Sequence, residues 1–428
     1  MIVIGLVVFI SVFYLMITEK IPASWATMVG GLIMALIGII NEEDALEAVA
    51  DRLEILFLLI GMMMIVHLIS ETGVFQWFAI KVAQLVRGEP FRLVVLLAIV
   101  TAVCSAFLDN VTTILLMAPV SILLAKQLRL DPFPFVITEV MSANIGGLAT
   151  LIGDPTQLII GAEGNLGFND FLLNTAPMAI ISMVILIVNV YIIYGRHMVV
   201  SNELKARIME LDSSRSLKEP KLLKEAAVIF LLVLVGFILN NFINKGLAII
   251  SLSGSIFLVI IAKRKPKEIF ENVEWETLFF FIGLFMMIRG IENLNIIKLI
   301  GDKLIGITTG KFDMAVLGVT WISAAFTSII GNVANAATMS KIVAVMVPEF
   351  AKDIADPVKI KAFWWALSIG SCLGGNITIL SSATNVVAVG AAAKAGCKID
   401  FVKFFKFGGL IALETLIIGS IYLFVRYM

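Results

Sequence analysis

The sequence predicts an all-α protein that crosses a membrane many times and is built from two inverted repeats. The chain has 428 residues, of which 60% are hydrophobic and only 15% are charged. Its mean hydropathy is +1.02, and this composition is far too apolar for a soluble globule. Two separated features also recur at one common spacing: Gly61 corresponds to Gly283, and Asn110 corresponds to Asn332.

The correspondence continues past the second pair with a slightly longer spacing. Gly146-Gly147 and Thr156 return as Gly374-Gly375 and Thr384, and these pairs again share one spacing. The longer loop at 349–361 absorbs the difference. We therefore expect a first repeat at 1–195, a linker at 196–223 and a second repeat at 224–428.

The first repeat begins with apolar segments of membrane length. Residues 73–87 differ from them, because apolar and polar side chains alternate as in an amphipathic helix at the membrane interface. The predicted order is crossings at 2–18, 23–40 and 53–70 with an acidic loop at 42–51, the interfacial helix 73–87, a re-entrant hairpin at 91–126, a broken helix at 132–161 and a crossing at 175–195.

The hairpin is predicted from the polar stretch 105–113, which carries Asp109 and Asn110 between two apolar runs that each look short for a crossing. Open backbone at membrane depth is tolerated only where protein or a water-filled cavity surrounds it. A surface loop between two ordinary crossings is the alternative, but it would not need its polar residues framed by Phe107, Leu108 and Val111. A carboxylate inside a bilayer indicates a functional site.

The broken helix is predicted from Gly146-Gly147 and Gly153-Asp154-Pro155, which interrupt an otherwise apolar run. Glycine and proline both disfavour a continuous helix. The second repeat shows the same order: crossings at 224–241, 245–262 and 276–291, an amphipathic stretch at 293–308, a hairpin at 313–348, a broken helix at 362–395 and a last span at 403–425.

The basic linker and the basic loop 263–267 predict that both lie in the cytoplasm. Each repeat has five crossings, so the second repeat is inverted relative to the first. The first hairpin then enters from the cytoplasm and the second from the opposite side, with the N-terminus outside.

The candidate site lies where the two hairpin tips and the two helix breaks should meet near the midplane, as in secondary transporters. Its hydroxyls, amides and carboxylates suit a proton or a hard monovalent cation. The candidate ligands are Asp109, Asn110, Thr112, Thr113, Asn144, Asp154, Thr156, Gln157, Asn332, Asn335, Thr384 and Asn385, with backbone hinges at Gly146, Gly147, Gly153, Gly331, Gly374 and Gly375.

Asp109 and Asp154 are expected to carry ion coupling, with Na⁺ as one candidate ion at Asp109, Asn110 and Asp154. Each aspartate could instead cap the helix that follows it. Further charges are open to two interpretations: Glu139 and Glu414 could relay protons or pair with neighbours, and Lys341 could balance Asp109. His67, Arg289 and Glu292 lie near helix ends, where pairing or snorkelling at the interface is expected.

Other functional classes lack a signal. The net charge is zero, which gives no indication of a nucleic-acid partner, and the three cysteines have no metal-ligand spacing. The sequence contains no phosphate-binding loop, so the chain itself is not expected to hydrolyse ATP through one. A separate ATPase that binds this protein would leave no motif in this sequence. No nucleophile, base and orienter occur at coherent spacing, so neither an enzyme nor a cofactor other than the coupling ion is expected.

The motifs at 105–113 and 142–156 make the chain resemble the ion transporter superfamily with its citrate-transporter-like domain. Arsenite permeases, NhaD-type sodium/proton antiporters and the melanosomal P protein look most similar. The resemblance implies a multi-pass protein of the plasma membrane, a scaffold region and a mobile transport region that shift like an elevator, and a homodimer. The tips at 109–112 and 331–334 match the Ser-Asn-Thr tips of dicarboxylate carriers only in part.

The resemblance ranks three solutes. Proton-coupled export of arsenite or antimonite comes first, Na⁺/H⁺ antiport second and uptake of a carboxylate or another anion third. The absence of Arg and Lys from the four site elements agrees with this order, because a multiply charged anion would have only helix dipoles and co-bound cations to hold it.

Overall fold

The computed structural model describes residues 1–18, 20–308, 310–354 and 356–428, and the described part is α-helical without strands. The first half contains α1 Ile2–Ile17, α2 Ala23–Leu36, α3 Glu42–Ala50, α4 Leu53–Glu71, α5 Val74–Leu85, α6 Pro90–Phe107, α7 Asn110–Gln127, α8 Phe133–Gly147, α9 Pro155–Gly164, α10 Phe168–Asn174, α11 Ala176–Ile193 and α12 Asn202–Met209.

The second half repeats much of this order. It contains α13 Pro220–Ile238, α14 Asn240–Ile243, α15 Leu247–Ile261, α16 Pro266–Glu271, α17 Trp275–Asn293, α18 Ile296–Ile307, α19 Phe312–Ile330, α20 Asn332–Phe350, α21 Pro357–Ile360, α22 Ala362–Gly374, α23 Ala383–Lys394 and α24 Phe401–Tyr427. Among the described residues, α4, α6, α7, α11, α19 and α24 are each long and apolar enough to cross a membrane, and the bent pair α17 and α18 would be a seventh span.

The helices pack into two groups. We call residues 2–71 and 220–293 the frame bundle, in which α2 packs on α17 and α4 packs on α15. Residues 90–193 and 312–427 form the hairpin bundle, in which α6 packs on α8, α19 on α22, α7 on α23 and α20 on α9. These contacts therefore fall into pairs that are related by exchanging the two halves of the chain.

The amphipathic helices α5 and α18 lie between the two groups. Helix α5 contacts α7 of the hairpin bundle, and α18 contacts α20. Helix α18 turns by 70° from the axis of α17, which fits a helix lying across the ends of the others.

Polar contacts mark the two ends of the molecule. At what we call the linker end, the Lys205 ammonium lies 2.6 Å from a Glu89 carboxylate oxygen, at the base of α6. At the opposite end, the Arg289 guanidinium pairs with Asp44 at 3.1 Å. The backbone N–H of Asn41 is the main group that holds the pKa of Asp44 below its usual value, with smaller help from Asn293 and Arg289.

Two expectations about element boundaries were wrong. The hairpin helices α6 and α7 have 18 residues each, so neither is short for a crossing, and only Leu108 and Asp109 separate them. The acidic loop 42–51 is mostly helix α3, which Asn41 and Asp44 begin by accepting each other's backbone N–H. The acidic residues in its first turn favour the helix because they interact with the positive end of its dipole.

Two glycines at equivalent positions allow the frame bundle to close. A Cβ on Gly61 of α4 would lie 2.7 Å from the Ser251 backbone, and a Cβ on Gly283 of α17 would lie 2.3 Å from the Met28 backbone nitrogen. Backbone atoms cannot move away as a flexible side chain can. These positions therefore set how closely α4 approaches α15 and how closely α17 approaches α2.

We expect Gly283→Ala to lower the free energy of unfolding by about 1–3 kcal/mol, the usual cost of overpacking a tight contact. Thermal unfolding of the detergent-purified protein measures this change. Gly390→Ala is the matched control, because a Cβ at Gly390 meets no atom within 4 Å. Equal unfolding midpoints for the two variants would contradict the assigned role of Gly283.

Candidate functional site

One buried carboxylate joins the two halves of the hairpin bundle. Asp154 Oδ2 accepts hydrogen bonds from Asn110 Nδ2 at 2.6 Å and from Asn332 Nδ2 at 3.0 Å. Its other oxygen, Oδ1, accepts from the Thr156 backbone N–H at 2.8 Å. Asp154 is 1% exposed, so a carboxylate that would be costly to bury alone has three donors. We call this arrangement the Asp154 clamp.

The clamp forms because helix N-termini meet there. Asn110 and Asn332 are the first residues of α7 and α20, and Asp154 immediately precedes α9. Pro155 is the first residue of α9, where a missing N–H costs nothing. Unpaired N–H groups give a helix N-terminus a partial positive charge, so the clamped carboxylate also neutralises these converging ends.

Asp109 has a different environment. It precedes α7 and its Oδ2 accepts from the Thr112 backbone N–H at 2.8 Å. The Thr112 hydroxyl lies 3.0 Å from the same oxygen. Both aspartates therefore cap helices, as one sequence interpretation allowed, and Asp109 also lines a cavity.

A cavity of about 870 Å³ lies between the two bundles. Asp109, Asp154, Glu274 and Glu276 line it, and its described lining contains no Lys, Arg or His. The rest of its wall includes both hairpin tips, residues 382–384 at the second helix break, and the connection between α1 and α2. The described wall of this cavity therefore carries four carboxyl groups and no basic side chain, beside the helix N-termini that Asp109 and Asp154 cap.

Glu274 is the site residue that sequence reasoning missed. It immediately precedes α17 in the frame bundle, and its Oε1 lies 3.3 Å from the Thr112 hydroxyl of the hairpin bundle. The sequence signal was weak, because Glu274 lies among other charged residues just before an apolar segment. Only the fold brings it near Asp109, which lies in the first half of the chain, far earlier in the sequence.

Several predicted ligands instead hold the two broken helices together. Asn144 Nδ2 donates to Asn376 Oδ1 at 2.9 Å and to Asn385 Oδ1 at 3.0 Å. Asn335 Nδ2 donates to Ser371 at 2.9 Å, away from the cavity wall. These amides therefore connect helices within the hairpin bundle.

The remaining candidates divide between wall and interior. Gln157 accepts from Ser368 at 2.7 Å and its Nε2 lies 2.8 Å from Cys372 Sγ, so it too packs inside the bundle. Thr384 lines the cavity. Thr113 and Thr156 are fully buried, and their hydroxyls have no partner among the described residues.

The glycines predicted as hinges are mostly points of close approach. A Cβ on Gly146 would lie 2.2 Å from the Ala102 carbonyl oxygen, and one on Gly374 would lie 2.7 Å from Ala324 Cα. Gly147 and Gly153 are similarly confined, and a Cβ on Gly375 would lie 2.9 Å from the Cys372 carbonyl oxygen. Gly331 alone of these six has a positive φ, +88°, and it forms the whole break between α19 and α20.

The other charged candidates have partners away from the cavity. Lys341 does not balance Asp109, because its ammonium lies 3.1 Å from Glu163 and 3.0 Å from Glu292. Glu414 accepts from Asn189 at 2.6 Å. His67 lies 3.3 Å from Glu71, one helical turn away.

Glu139 is a buried acid without a basic partner among the described residues. One of its carboxylate oxygens contacts the Ser121 hydroxyl, and the other has no hydrogen-bond partner in the described part of the chain. Within the described ranges, no group of three or more His, Cys, Asp or Glu is arranged to hold a metal ion.

The model of the citrate transporter family matches residues 13–370. The chain belongs to this family. A "46 kDa membrane protein" of Mycobacterium leprae is 34% identical over 428 residues, covering 100% of this chain and 99% of that protein. An uncharacterized transporter of Mycobacterium tuberculosis is 33% identical and covers 99% of each chain. The family is one of transporters, and the present chain is a multi-pass membrane transporter rather than an enzyme.

A longer relative and one solved structure extend the comparison. The human P protein is 31% identical over 502 residues, which include 98% of this chain and 59% of the P protein. The crystal structure of the YdaH transporter of Alcanivorax borkumensis superposes with a TM-score of 0.60 at 14% identity, covering 89% of this chain and 87% of that one. At such low identity the match establishes the fold alone.

We expect Asp154→Asn to lower the free energy of unfolding by about 1–3 kcal/mol, because a new NH₂ donor would face groups that all donate. Thermal unfolding checks this. Asp313→Asn, at an exposed carboxylate, should leave the unfolding midpoint unchanged. An Asp154→Asn protein as stable as the wild type would show that the clamp does not hold the bundle together.

Proposed function

We propose that the protein is a secondary active transporter that exchanges protons for a monovalent cation such as Na⁺ across the membrane. One observation supports this best. Among the described residues, the wall of the cavity between the two bundles contains four acidic residues and no basic one. A cation gains energy from such a lining, whereas an anion loses it. This favours the cation antiport considered second from sequence.

Within this proposal the two aspartates have different tasks. Asp154 is saturated by three donors and serves to tie the hairpin tips together. Asp109 receives donors only from its own helix, at Thr112, and faces the cavity. Asp109 is thus our candidate for the residue that alternates between a proton and the transported cation.

A neutral oxyacid such as arsenous or antimonous acid is the second candidate. It carries no charge that the acidic lining would repel, and it fits a wall of carboxylates, amides and hydroxyls. Citrate is the solute in the family's description. As a free trianion it would meet repulsion from four acidic residues, so we rank it third and expect it only together with a bound cation.

We also propose the membrane arrangement predicted from sequence: inverted repeats, with the linker end in the cytoplasm. The reciprocal packing of the two halves supports the repeats. The cavity wall includes Ser24, Val273 and Glu276, near the cytoplasmic ends of α2 and α17 in this arrangement, which supports a cavity open to that side. The frame bundle would be the scaffold and dimer contact, and the hairpin bundle the part that moves.

The test is proton flux in proteoliposomes that contain the purified protein, an imposed pH gradient and an internal pH dye. Na⁺, Li⁺, arsenite, and citrate with or without Mg²⁺ are added one at a time. We expect Na⁺ or Li⁺ to collapse the gradient. Proton movement with arsenite alone would establish the second candidate, and movement with citrate alone the third. No flux with any of these solutes would contradict the proposal.

We expect Asp109→Asn to lower the cation-driven proton flux by at least about tenfold, since one charged interaction of ~1.4 kcal/mol or more accounts for that factor. Asp313→Asn should behave as the wild type in the same vesicles. If Asp109→Asn exchanges protons at the wild-type rate, Asp109 is not the coupling residue.

A further inference from the structure

Four charged side chains of alternating sign form a network between the two bundles. Arg52 Nη2 lies 2.6 Å from Glu163 Oε2, Lys341 Nζ lies 3.1 Å from the same Glu163 oxygen, and Lys341 Nζ lies 3.0 Å from Glu292 Oε1. We call these residues the charge network. Their side chains are only 15%, 15%, 17% and 28% exposed in the order Arg52, Glu163, Lys341, Glu292.

The charge network connects groups that belong to different bundles. Arg52 precedes α4 and Glu292 lies near the end of α17, both in the frame bundle. Glu163 lies in α9 and Lys341 in α20, both in the hairpin bundle. Of the ion pairs between described residues, Arg52–Glu163 and Lys341–Glu292 are those that cross from one bundle to the other.

The charge network lies near the end of α17, whereas the cavity is lined by the start of this helix. Arg289, one helical turn before Glu292 in α17, pairs with α3 at that end. The cavity, by contrast, is lined by the start of α17 and the α1–α2 connection. Any sliding of the hairpin bundle that moved the cavity opening toward the α3 end would separate both crossing pairs.

The frame side of the charge network is held in place. The Arg52 guanidinium carbon lies 5.1 Å from the centre of the buried Phe285 ring, which contributes a cation–π contact. In a partly buried ion pair, water has limited access to the charges. Removing one partner therefore leaves the other charge uncompensated, which is unfavourable. The network is therefore more than a set of exposed surface pairs, which contribute little.

The internal duplication makes the charge network one-sided. At the two spacings that relate the repeats, the positions that correspond to Arg52, Glu163, Lys341 and Glu292 are Glu274, Ala391, Pro119 and Ser70. None of these four is basic. If the two repeats exchanged their arrangements, no equivalent network could form at the linker end.

We propose that the charge network is a latch that holds the hairpin bundle in the observed position, closes the site at the α3 end, and must open in each transport cycle. This proposal depends on the proposed transport function, because it assigns the network a place in that cycle. It also makes the state open to the linker end the resting state of the empty protein.

The experiment measures from which side a cysteine in the cavity reacts. Val111→Cys places a thiol in the cavity wall, in a background where Cys104, Cys372 and Cys397 are replaced by Ala. A membrane-impermeant maleimide is applied to inside-out and to right-side-out vesicles. With the network intact we expect labelling from the linker side, and Arg52→Gln or Lys341→Gln should move the ratio of the two rates toward the α3 side by about fivefold or more.

A charge swap provides the decisive control. Arg52→Glu combined with Glu163→Arg should restore the labelling ratio more fully than either single change. Arg289→Gln removes a charge at the same end, but its partners Asp44 and Glu47 lie in the frame bundle, so it should leave the ratio unchanged. Folding is checked by monodispersity and unfolding midpoint.

The latch is refuted if folded Arg52→Gln and Lys341→Gln proteins keep the wild-type labelling ratio, or if Arg289→Gln changes that ratio as much as they do. If the single variants do not fold, the swapped pair decides: a folded swapped protein with the wild-type ratio supports the latch, and any other result refutes it. Labelling needs no solute, so it stays informative if proteoliposomes show no transport.

Discussion

The hairpin bundle depends on the Asp154 clamp. Four helices, α7, α9, α20 and α23, begin at the wall of one cavity, and their N-termini bring partial positive charges together. A buried carboxylate that accepts from Asn110, Asn332 and Thr156 neutralises part of this charge and satisfies its own oxygens. The irregular backbone at the tips and breaks is therefore acceptable away from water because it meets other protein groups.

The frame bundle is held by a different interaction, and this difference divides the molecule. Its helices approach closely at Gly61 and Gly283, where a Cβ would meet the backbone of the neighbouring helix. The two bundles, in contrast, meet across an acidic cavity, a small number of polar contacts and the charge network. A boundary of this kind can be broken and re-formed more easily than a glycine-mediated helix contact, and it suits relative movement of two rigid parts.

Sequence reasoning identified the features that local patterns encode. Paired spacings located both tips and both breaks, and Asp109, Asp154, Asn110 and Asn332 do meet or line one region. Helix α3 was not predicted, because the acidic segment 42–51 was interpreted as a loop. Asn41 and Asp44 nevertheless form a recognisable helix start. The hairpin helices were judged too short because the polar residues 105–113 were all assigned to the tip.

Partners far apart in the chain could not be found in this way. The pairing of Lys341 with Glu163 and Glu292, and the approach of Glu274 to Thr112, depend on how the two bundles dock. A single sequence gives each such residue a type and a local element but no partner. Asn144 and Asn385 illustrate the same limit: their polarity indicated a site, whereas their hydrogen bonds join two helices.

The two halves of the chain have a similar order of helices but different polar residues at corresponding positions. Asp109 corresponds to Gly331, and Asp154 corresponds to Ser382. One clamp therefore serves both hairpin tips, since Ser382 contributes no second carboxylate and Asn332 reaches across to Asp154. Because Asn110 and Asn332 donate to the same carboxylate, a change at Asp154 removes a hydrogen bond from both hairpin tips at once. A fully symmetric site would lack that constraint, so the loss of symmetry is what joins the two similar halves of the hairpin bundle through one carboxylate.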